Sequence, residues 1–503
     1  MSDIAIRAEV GLFDRAWRRV AGLWREMAAT VAREAPPGES LAAQMRACLD
    51  GRGGEVSARS RAARLARDYL ARDAAGRLDF LCTLARFDSD MEAVRAAMAR
   101  VSSAAEGAER AAAKADLRRA LEPPRVRLLS QFTSIPDGVK LLVDLRGELL
   151  GHAKTDPVLR ALEADLRGLL ASWFDLGFLD LRRIDWSSPA SLLERLVGYE
   201  AVHRIRTWRD LKNRLDSDRR CYAFFHPRMP EEPLIFVEVA LVRGLSSSVQ
   251  ALLDERAPLL DPREADTAIF YSINNCQRGL DGISFGNFLI KRVVSELGAE
   301  FPTLKTFSTL SPIPGFRRWL DATLAAEGEA AFAQDELEAL AEATPGAPDP
   351  LSGLRAMLAR RNPLADPLAP VAEPVILRLC ARYLLSEAGG GRDGGGAAGR
   401  RARDPVAHFH LSNGARVERI NPRGDTSEKG VREALGLMVN YLYDPARIEE
   451  NHEAYAGEGK RAAASAVRKL AARSPAPPPQ PAPALVALPA PAPVAAAATA
   501  PAA

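Results

Sequence analysis

The sequence predicts a mixed α+β chain: an all-helical N-terminal part covering residues 1–180, then an α/β domain built on a mixed sheet. Three observations carry this. Apolar residues recur at three- and four-residue steps through the first part. Short, nearly continuous apolar runs replace them after Trp186. One of those runs leads through a glycine-bearing loop into a helical pattern and then another short run, which is the order of a crossover unit.

In the helical part, Val10, Phe13, Trp17, Val20, Trp24 and Met27 form one stripe. Leu81, Leu84, Phe87, Met91, Val94 and Met98 form a second, and both read as core. Prolines at 123, 124 and 136 punctuate the region. The arginines between Arg52 and Arg72, interrupted by Glu55 and Asp68, read as a solvated helix face. Beyond Trp186 the predicted strands are Tyr222–Phe225, Leu234–Val242 and Ala268–Ile273. The loop from Asn274 to Asn287 opens a helix at Phe288–Leu297, and Lys305–Leu310 is the next strand. Residues 317–385 read as helical again, and Gly389–Gly399 as a mobile surface loop without the Lys-Ser/Thr ending of a phosphate-binding P-loop. Ala407–Leu411 and Arg416–Ile420 flank Asn413-Gly414, a strong hairpin signal. From Ser474 to Ala503 the chain is Pro- and Ala-rich with almost no charge and reads as a disordered tail. The domain division is therefore 1–180, 181–460 and the tail 474–503.

Composition narrows the function classes. A chain of 503 residues, 47% hydrophobic, suits two or three globular domains. A net charge of +3 gives no bulk argument for nucleic acid. Cys48, Cys82, Cys221, Cys276 and Cys380 are scattered without a CxxC pair, which disfavours a disulfide framework or zinc cluster and fits a reducing cytoplasm. No apolar run is long enough to span a bilayer, and Asp3, Glu9 and Asp14 argue against a secretory or transit leader.

Four places could hold chemistry. Gly279, Gly282 and Gly286 lie between a strand and a helix N-terminus, where backbone N–H groups and the helix dipole favour an anion such as a pyrophosphate; the alternative is a tight structural turn. Gly282-Ile283-Ser284-Phe285-Gly286 matches the G-x-S-x-G nucleophile elbow, but eight residues, Asn274–Asp281, separate it from the preceding strand. Ser311 follows the strand KTFSTL and precedes Pro312-Ile313-Pro314-Gly315, so its hydroxyl is held at a strand's C-terminal edge, where ligands of open α/β sheets bind; it could equally be a turn serine. His410 is read on a hairpin strand, sharing a face with His408 and pairing with Val417; the His-x-His spacing could bind metal but no third ligand is visible. Glu238 is the odd carboxylate in LIFVEVALV and must be paired or raised in pKa.

Taken in order, these blocks resemble the malonyl-CoA decarboxylase family. The matching text is EAVHRIRTWRDLKNRL (200–215), FFHPRMPEEPLIFVEVAL (224–241), AIFYSINNCQRGLDGISFGNFLIKRVV (268–294), FSTLSPIPGFRRWL (307–320), DPVAHFHLSNGARVERIN (404–421) and GLMVNYLYDP (436–445). The resemblance implies a helical domain involved in oligomer contacts and a catalytic domain of GNAT-like (acetyltransferase-type) fold. Its central strand would be AIFYSI, and the acyl group would lie beside Ser311 where two strands splay. It implies Ser311 as the catalytic serine, His410 as the catalytic histidine, and Asp281, Gly282, Ile283, Ser284, Phe285, Gly286 and Asn287 as the acyl-CoA-binding loop. Tyr443 would stand near the Ser–His pair. Some relatives carry an acidic residue where this chain has Ser284, so a contact made by that carboxylate does not transfer. Ala190 and Pro227 stand where some animal relatives link subunits through cysteines, and the sequence ends Pro-Ala-Ala rather than in a peroxisomal signal.

The implied reaction turns malonyl-CoA into acetyl-CoA and CO2 through a thioester enolate. It calls for a donor at the thioester oxygen and a proton for C2, and for no metal or organic cofactor, because the thioester is the electron sink. His410 would give the proton, and Ser311 would orient the carboxylate and exchange protons with it. The implied partners are the malonyl-CoA substrate and further copies of the chain in a homo-oligomer, with no nucleic acid or membrane. The rival readings are an acyl-CoA thioesterase using Ser284, a GNAT-type acyltransferase, and a CoA-binding module without turnover.

Overall fold

The computed structural model describes residues 39–50, 54–174, 176–283, 288–389 and 401–472. The stripe at 10–27, the loop from 390 to 400, Ser284–Asn287 and the tail lie outside the described residues.

The helical part is as expected. It comprises α1 (Leu41–Leu49), α2 (Gly54–Ala71), α3 (Ala74–Ala85), α4 (Met91–Ser103), α5 (Ala108–Leu121), α6 (Pro124–Phe132), α7 (Gly138–His152) and α8 (Pro157–Trp173). Local chemistry sets the boundaries. Asp73, Asp90 and Asp156 each accept a first-turn N–H, and Pro157 stands at the first helical position of α8. Leu159, Leu162, Leu166 and Leu170 of α8 are buried at helical spacing, each contributing on the order of 2 kcal/mol. They share one core with Leu142, Val143 and Leu149 of α7 and with Leu280 and Ile283 of the following domain.

The second stripe needs correction. It is broken between α3 and α4, where Asp90 caps a new helix. Leu81 and Leu84 are core, but Met91 and Met98 are 55% and 54% exposed. Residues three or four apart align only while the helix continues, so a stripe drawn across a cap loses its face.

The sheet contains β1 (Asp180–Ile184), β2 (Arg219–His226), β3 (Met229–Val242), β4 (Thr267–Asn275), β5 (Thr306–Thr309), β6 (Ser311–Pro312), β7 (Arg416–Asn421) and β8 (Met438–Leu442). Its order is β1-β2-β3-β4-β5-β8-β6, with β7 also on β8. The first four strands are antiparallel, β4 and β5 are parallel, and β8 runs antiparallel to β5, β6 and β7. Both faces are covered. Ala268 and Phe270 meet the main core, whereas Ile269 and Tyr271 pack with Leu310, Met438 and Val249 in a separate cluster.

Between β1 and β2 lie α9 (Ala190–Tyr199) and α10 (Trp208–Arg214), and between β3 and β4 the short α11 (Val249–Leu252). The crossover from β4 to β5 carries α12 (Phe288–Glu300). Residues 317–385 are helical, as expected: α13 (Phe316–Ala326), α14 (Gln334–Ala343), α15 (Pro350–Ala359) and α16 (Ala369–Leu385). α17 (Pro405–Ser412), α18 (Glu428–Ala434), α19 (Ile448–Glu458) and α20 (Ser465–Ala472) complete the described helices. Among the described residues no helix is long and apolar enough to cross a membrane.

The pair β4/β5 positions the site. Its ladder runs from Thr267↔Thr306 to Phe270↔Thr309 and closes with Leu310 N–H donating to Phe270 C=O at 2.9 Å. The next residue, Ser311, pairs instead with Val439 of β8, so the two parallel strands part at their carboxyl ends.

The hairpin at Asn413-Gly414 is not there. Asp404 accepts from the N–H groups of Val406 and Ala407 at 3.0 Å each, Pro405 takes the first helical position, and α17 results. Asn413 caps the end of α17. Gly414 follows with φ +80°, and a Cβ there would overlap the Ile448 carbonyl oxygen. Glycine in the left-handed region ends a helix as readily as it turns a hairpin, so the dipeptide alone did not discriminate. His410 therefore does not pair with Val417, which pairs with Tyr441, and His408 and His410 do not share a face.

Gly414→Ala should destabilise the protein by about 2 kcal/mol or more, since it meets both the positive φ and the Ile448 carbonyl. Denaturant unfolding measures this, and a loss under ~0.5 kcal/mol would show that the end of α17 is not fixed as described.

Candidate active site

Ser311 and His410, far apart in sequence, meet at the parting of β4 and β5. Ser311 Oγ lies 3.0 Å from His410 Nε2, and His410 Nδ1 lies 2.7 Å from the Tyr443 hydroxyl. All three side chains are buried. Tyr441, on β8, stacks on the His410 ring at a centroid distance of 4.5 Å and an interplanar angle of 25°. Ser311 Oγ is also 2.9 Å from Thr309 Oγ1, which accepts the Tyr441 backbone N–H at 3.0 Å. That last bond fills a gap, because β5 pairs with β8 only at Ser308↔Leu442 and the Thr309 side chain takes an N–H the ladder leaves free.

The two segments that carry the pair are tied to each other. Asp404, fully buried, caps α17 and also accepts the Gly315 backbone N–H of the turn after Ser311. Its carboxylate lies 3.4 Å from the Tyr383 hydroxyl, and its pKa is raised by burial. One side chain thus fixes both the histidine helix and the serine turn. Sequence reading missed Asp404, Thr309 and Tyr441; only Asp404-Pro405, a helix-start signal, could have been found there.

Burial alone depresses His410, down to about 3, and pushes the Tyr443 phenol well above its usual value. The imidazole is therefore neutral at pH 7, with one donor and one acceptor nitrogen. Two arrangements satisfy the chain. Tyr443 donates to Nδ1, Nε2–H to Ser311 and Ser311 to Thr309; or Thr309 donates to Ser311, Ser311 to Nε2 and Nδ1–H to Tyr443. Passing from one to the other reverses the polarity at Ser311 without creating a charge.

Asp281, Gly282 and Ile283 stand elsewhere on the same sheet edge, between the carboxyl end of β4 and α12. Asp281 Oδ1 accepts from Asn275 Nδ2 at 2.9 Å, and Ile283 is buried in the main core. Ser284, Phe285, Gly286 and Asn287 lie outside the described residues. β4 ends at Asn275 and a 3₁₀ turn, Arg278–Leu280, intervenes, so Ser284 does not directly follow a strand as the nucleophile elbow requires.

Glu238 is paired. Its carboxylate meets Arg214 at 3.0 Å, and Arg214 also donates to Asp210 at 2.8 Å and to the His203 carbonyl at 2.8 Å. Burial raises the Glu238 pKa while Arg214 opposes the rise. Beside it, Glu200 accepts from Ser272 at 2.8 Å and Asn274 at 2.7 Å. This network underlies β3 and β4 and does not touch the Ser–His pair through any of these bonds.

A mixed sheet that opens at one parallel pair, with a buried Ser–His–Tyr hydrogen-bonded chain in the opening and a glycine turn on the same edge, defines an α/β protein with an enclosed polar site at the carboxyl ends of its parallel strands. The comparisons with known proteins specify it further. The family model described as malonyl-CoA decarboxylase C-terminal domain matches residues 177–479, and the N-terminal domain of the same family matches 87–174. The chain is 39% identical over 347 residues to the mitochondrial malonyl-CoA decarboxylase of Anser anser anser, covering 66% of this chain and 67% of that one. It is 37% identical over 370 residues to the Rattus norvegicus protein of the same name, covering 71% and 73%. Among solved structures, malonyl-CoA decarboxylase from Rhodopseudomonas palustris is 42% identical with a TM-score of 0.76, covering 85% of this chain and 98% of that one. That from Agrobacterium vitis is 40% identical with a TM-score of 0.74, covering 86% and 99%. The chain belongs to the malonyl-CoA decarboxylase family.

The neutral state of His410 is measurable. Its folded pKa lies below the ordinary ~6.5, so its contribution to stability is complete above pH 6.5 and is lost as pH falls from there toward 3, by at most about 1.4 kcal/mol per pH unit. Imidazole NMR signals of His410 should stay those of the neutral ring down to pH 5. A midpoint near 6.5 contradicts the enclosure described.

Proposed function

We propose that this chain releases CO2 from malonyl-CoA, with Ser311, His410 and Tyr443 as the acid–base chain and the segment Asp281–Asn287 as the site of the CoA pyrophosphate. The observation that carries the reading is the 3.0 Å Ser311–His410 contact, buried at the carboxyl ends of the parallel strands. Decarboxylation breaks the bond between C2 and the carboxylate carbon. The electron pair enters the thioester as an enolate, CO2 leaves, and C2 takes up one proton. A hydroxyl at Ser311 can hold the carboxylate or the developing oxyanion. His410 is neutral in the free protein, but the malonyl carboxylate brings a negative charge into a water-poor site and raises the imidazole's affinity for a proton, which His410 takes up from solvent as the substrate binds. His410 then donates to C2, and Tyr443 on its other nitrogen fixes the ring.

Three further parts belong to this reading. The helical region carries contacts between copies of the chain, supported by Met91, Met98 and Leu121, each more than half exposed on α4 and α5. The domain division stands at 1–180, 181–460 and the tail, supported by the helix-to-sheet change after Trp173. The setting is the reducing cytoplasm, in keeping with five unpaired cysteines, four of them buried.

Turnover of carboxyl-labelled malonyl-CoA tests the function. Labelled CO2 marks the lyase, free malonate a thioesterase, and an acetylated acceptor a transferase. Ser311→Ala and His410→Ala should each lower CO2 release ~100-fold or more with CoA binding retained, while Ser284→Ala costs less. Near-normal CO2 release by Ser311→Ala beside an inactive Ser284→Ala overturns the assignment in favour of the elbow serine.

A further inference from the structure

The helical region enters the sheet domain through a buried arginine. Arg146, on α7, is 2% exposed. Its Nη1 donates to the Gly279 carbonyl at 2.6 Å and to the Asp281 carbonyl at 3.0 Å. Its Nε and Nη2 donate to Glu163 of α8 at 3.0 and 2.7 Å, which holds the guanidinium in place. From the next turn of α8 onto the same segment, Arg167 Nη2 donates to the Gly282 carbonyl at 3.0 Å. The approach is backbone to backbone: a Cβ on Gly279 would overlap the Val143 carbonyl oxygen of α7. Two arginines from the helical part therefore hold three carbonyls of the turn that leads from β4 into α12.

This arrangement has an electrostatic and a geometric consequence. In a trans peptide the C=O of one residue and the N–H of the next point oppositely. With the Asp281 carbonyl fixed on Arg146, the Gly282 N–H is directed away from the helices. The guanidinium groups of Arg146, Arg167 and Arg278 face the carboxylates of Glu163 and Asp281, which leaves one net positive charge around the turn and favours an anion there.

We propose that Arg146, seconded by Arg167, is a positioning residue for the phosphate end of the CoA thioester, so that the helical region forms the floor of the nucleotide site as well as a surface for other copies. This rests on the reading that the CoA pyrophosphate binds at the segment that begins with Asp281 and Gly282. Neither arginine touches the reacting atoms. Their effect is confined to substrates that carry the nucleotide and its phosphates.

The test compares malonyl-CoA with malonyl-N-acetylcysteamine, a thioester without nucleotide or phosphate. Arg146→Met should raise KM for malonyl-CoA and Kd for CoA by about tenfold or more while kcat stays within about twofold, and kcat/KM for the truncated thioester should hold. Arg146→Lys should fall between, because one ammonium cannot hold both carbonyls and Glu163. Arg167→Gln removes only the exposed Gly282 contact and should raise KM about threefold, which keeps the claim testable if Arg146→Met does not fold. Equal losses on both substrates, or an unchanged KM and Kd, overturn the proposal. Should the wild type release no CO2, the functional reading fails, while the CoA isotherms of the same variants still decide the role of Arg146.

Discussion

The contact between Ser311 Oγ and His410 Nε2 depends on where β5 stops pairing with β4. Leu310 makes the last bond to Phe270, and Ser311 then turns to Val439 of β8. Had the parallel ladder continued, Ser311 would be spent on strand pairing with β4 and no opening would exist. The opening is stabilised by side chains standing in for missing ladder bonds. Thr309 takes the Tyr441 N–H, and Asp404 takes the Gly315 N–H while capping α17. The histidine then needs little further positioning: Tyr441 lies flat against it and Tyr443 holds its second nitrogen.

Enclosure sets the chemistry as well as the geometry. Burial is the one cause that depresses His410, with no charged neighbour contributing. In the proposed mechanism the free site holds a neutral imidazole, and His410 takes up its proton only with the malonyl carboxylate, so the acid is present for the enolate and absent from the empty site. In the proposed binding mode the phosphate-bearing end of the thioester sits apart from this, on the turn braced by α7 and α8, so that binding energy gained far from the reaction holds the acyl group in the opening.

How much of this was legible differs by element. β2, β3 and β4 were legible because both faces of the sheet are covered and their sequences are correspondingly apolar throughout. α17 was not, because AHFHL is too short to show a period, and Asn-Gly suits a helix end as well as a hairpin. Met91 and Met98 were placed in a core because a periodic pattern gives no sign of the cap at Asp90 that resets the face. In the site, Ser311, His410 and Tyr443 were reached through resemblance to a family, each having a structural alternative when read alone. Arg146 had no local signal at all, since an arginine in an amphipathic helix declares its partners only when the turn at Gly279 is packed against it.

The central claim is that Ser311 and His410 act as one unit on the proton that C2 receives. A double-mutant cycle on kcat for CO2 release, using Ser311→Ala, His410→Ala and the combined variant, tests it most directly. If the pair acts as a unit, the combined variant loses little more than the worse single variant, far less than the product of the two effects. Losses that multiply, so that each residue contributes independently of the other, would contradict the account.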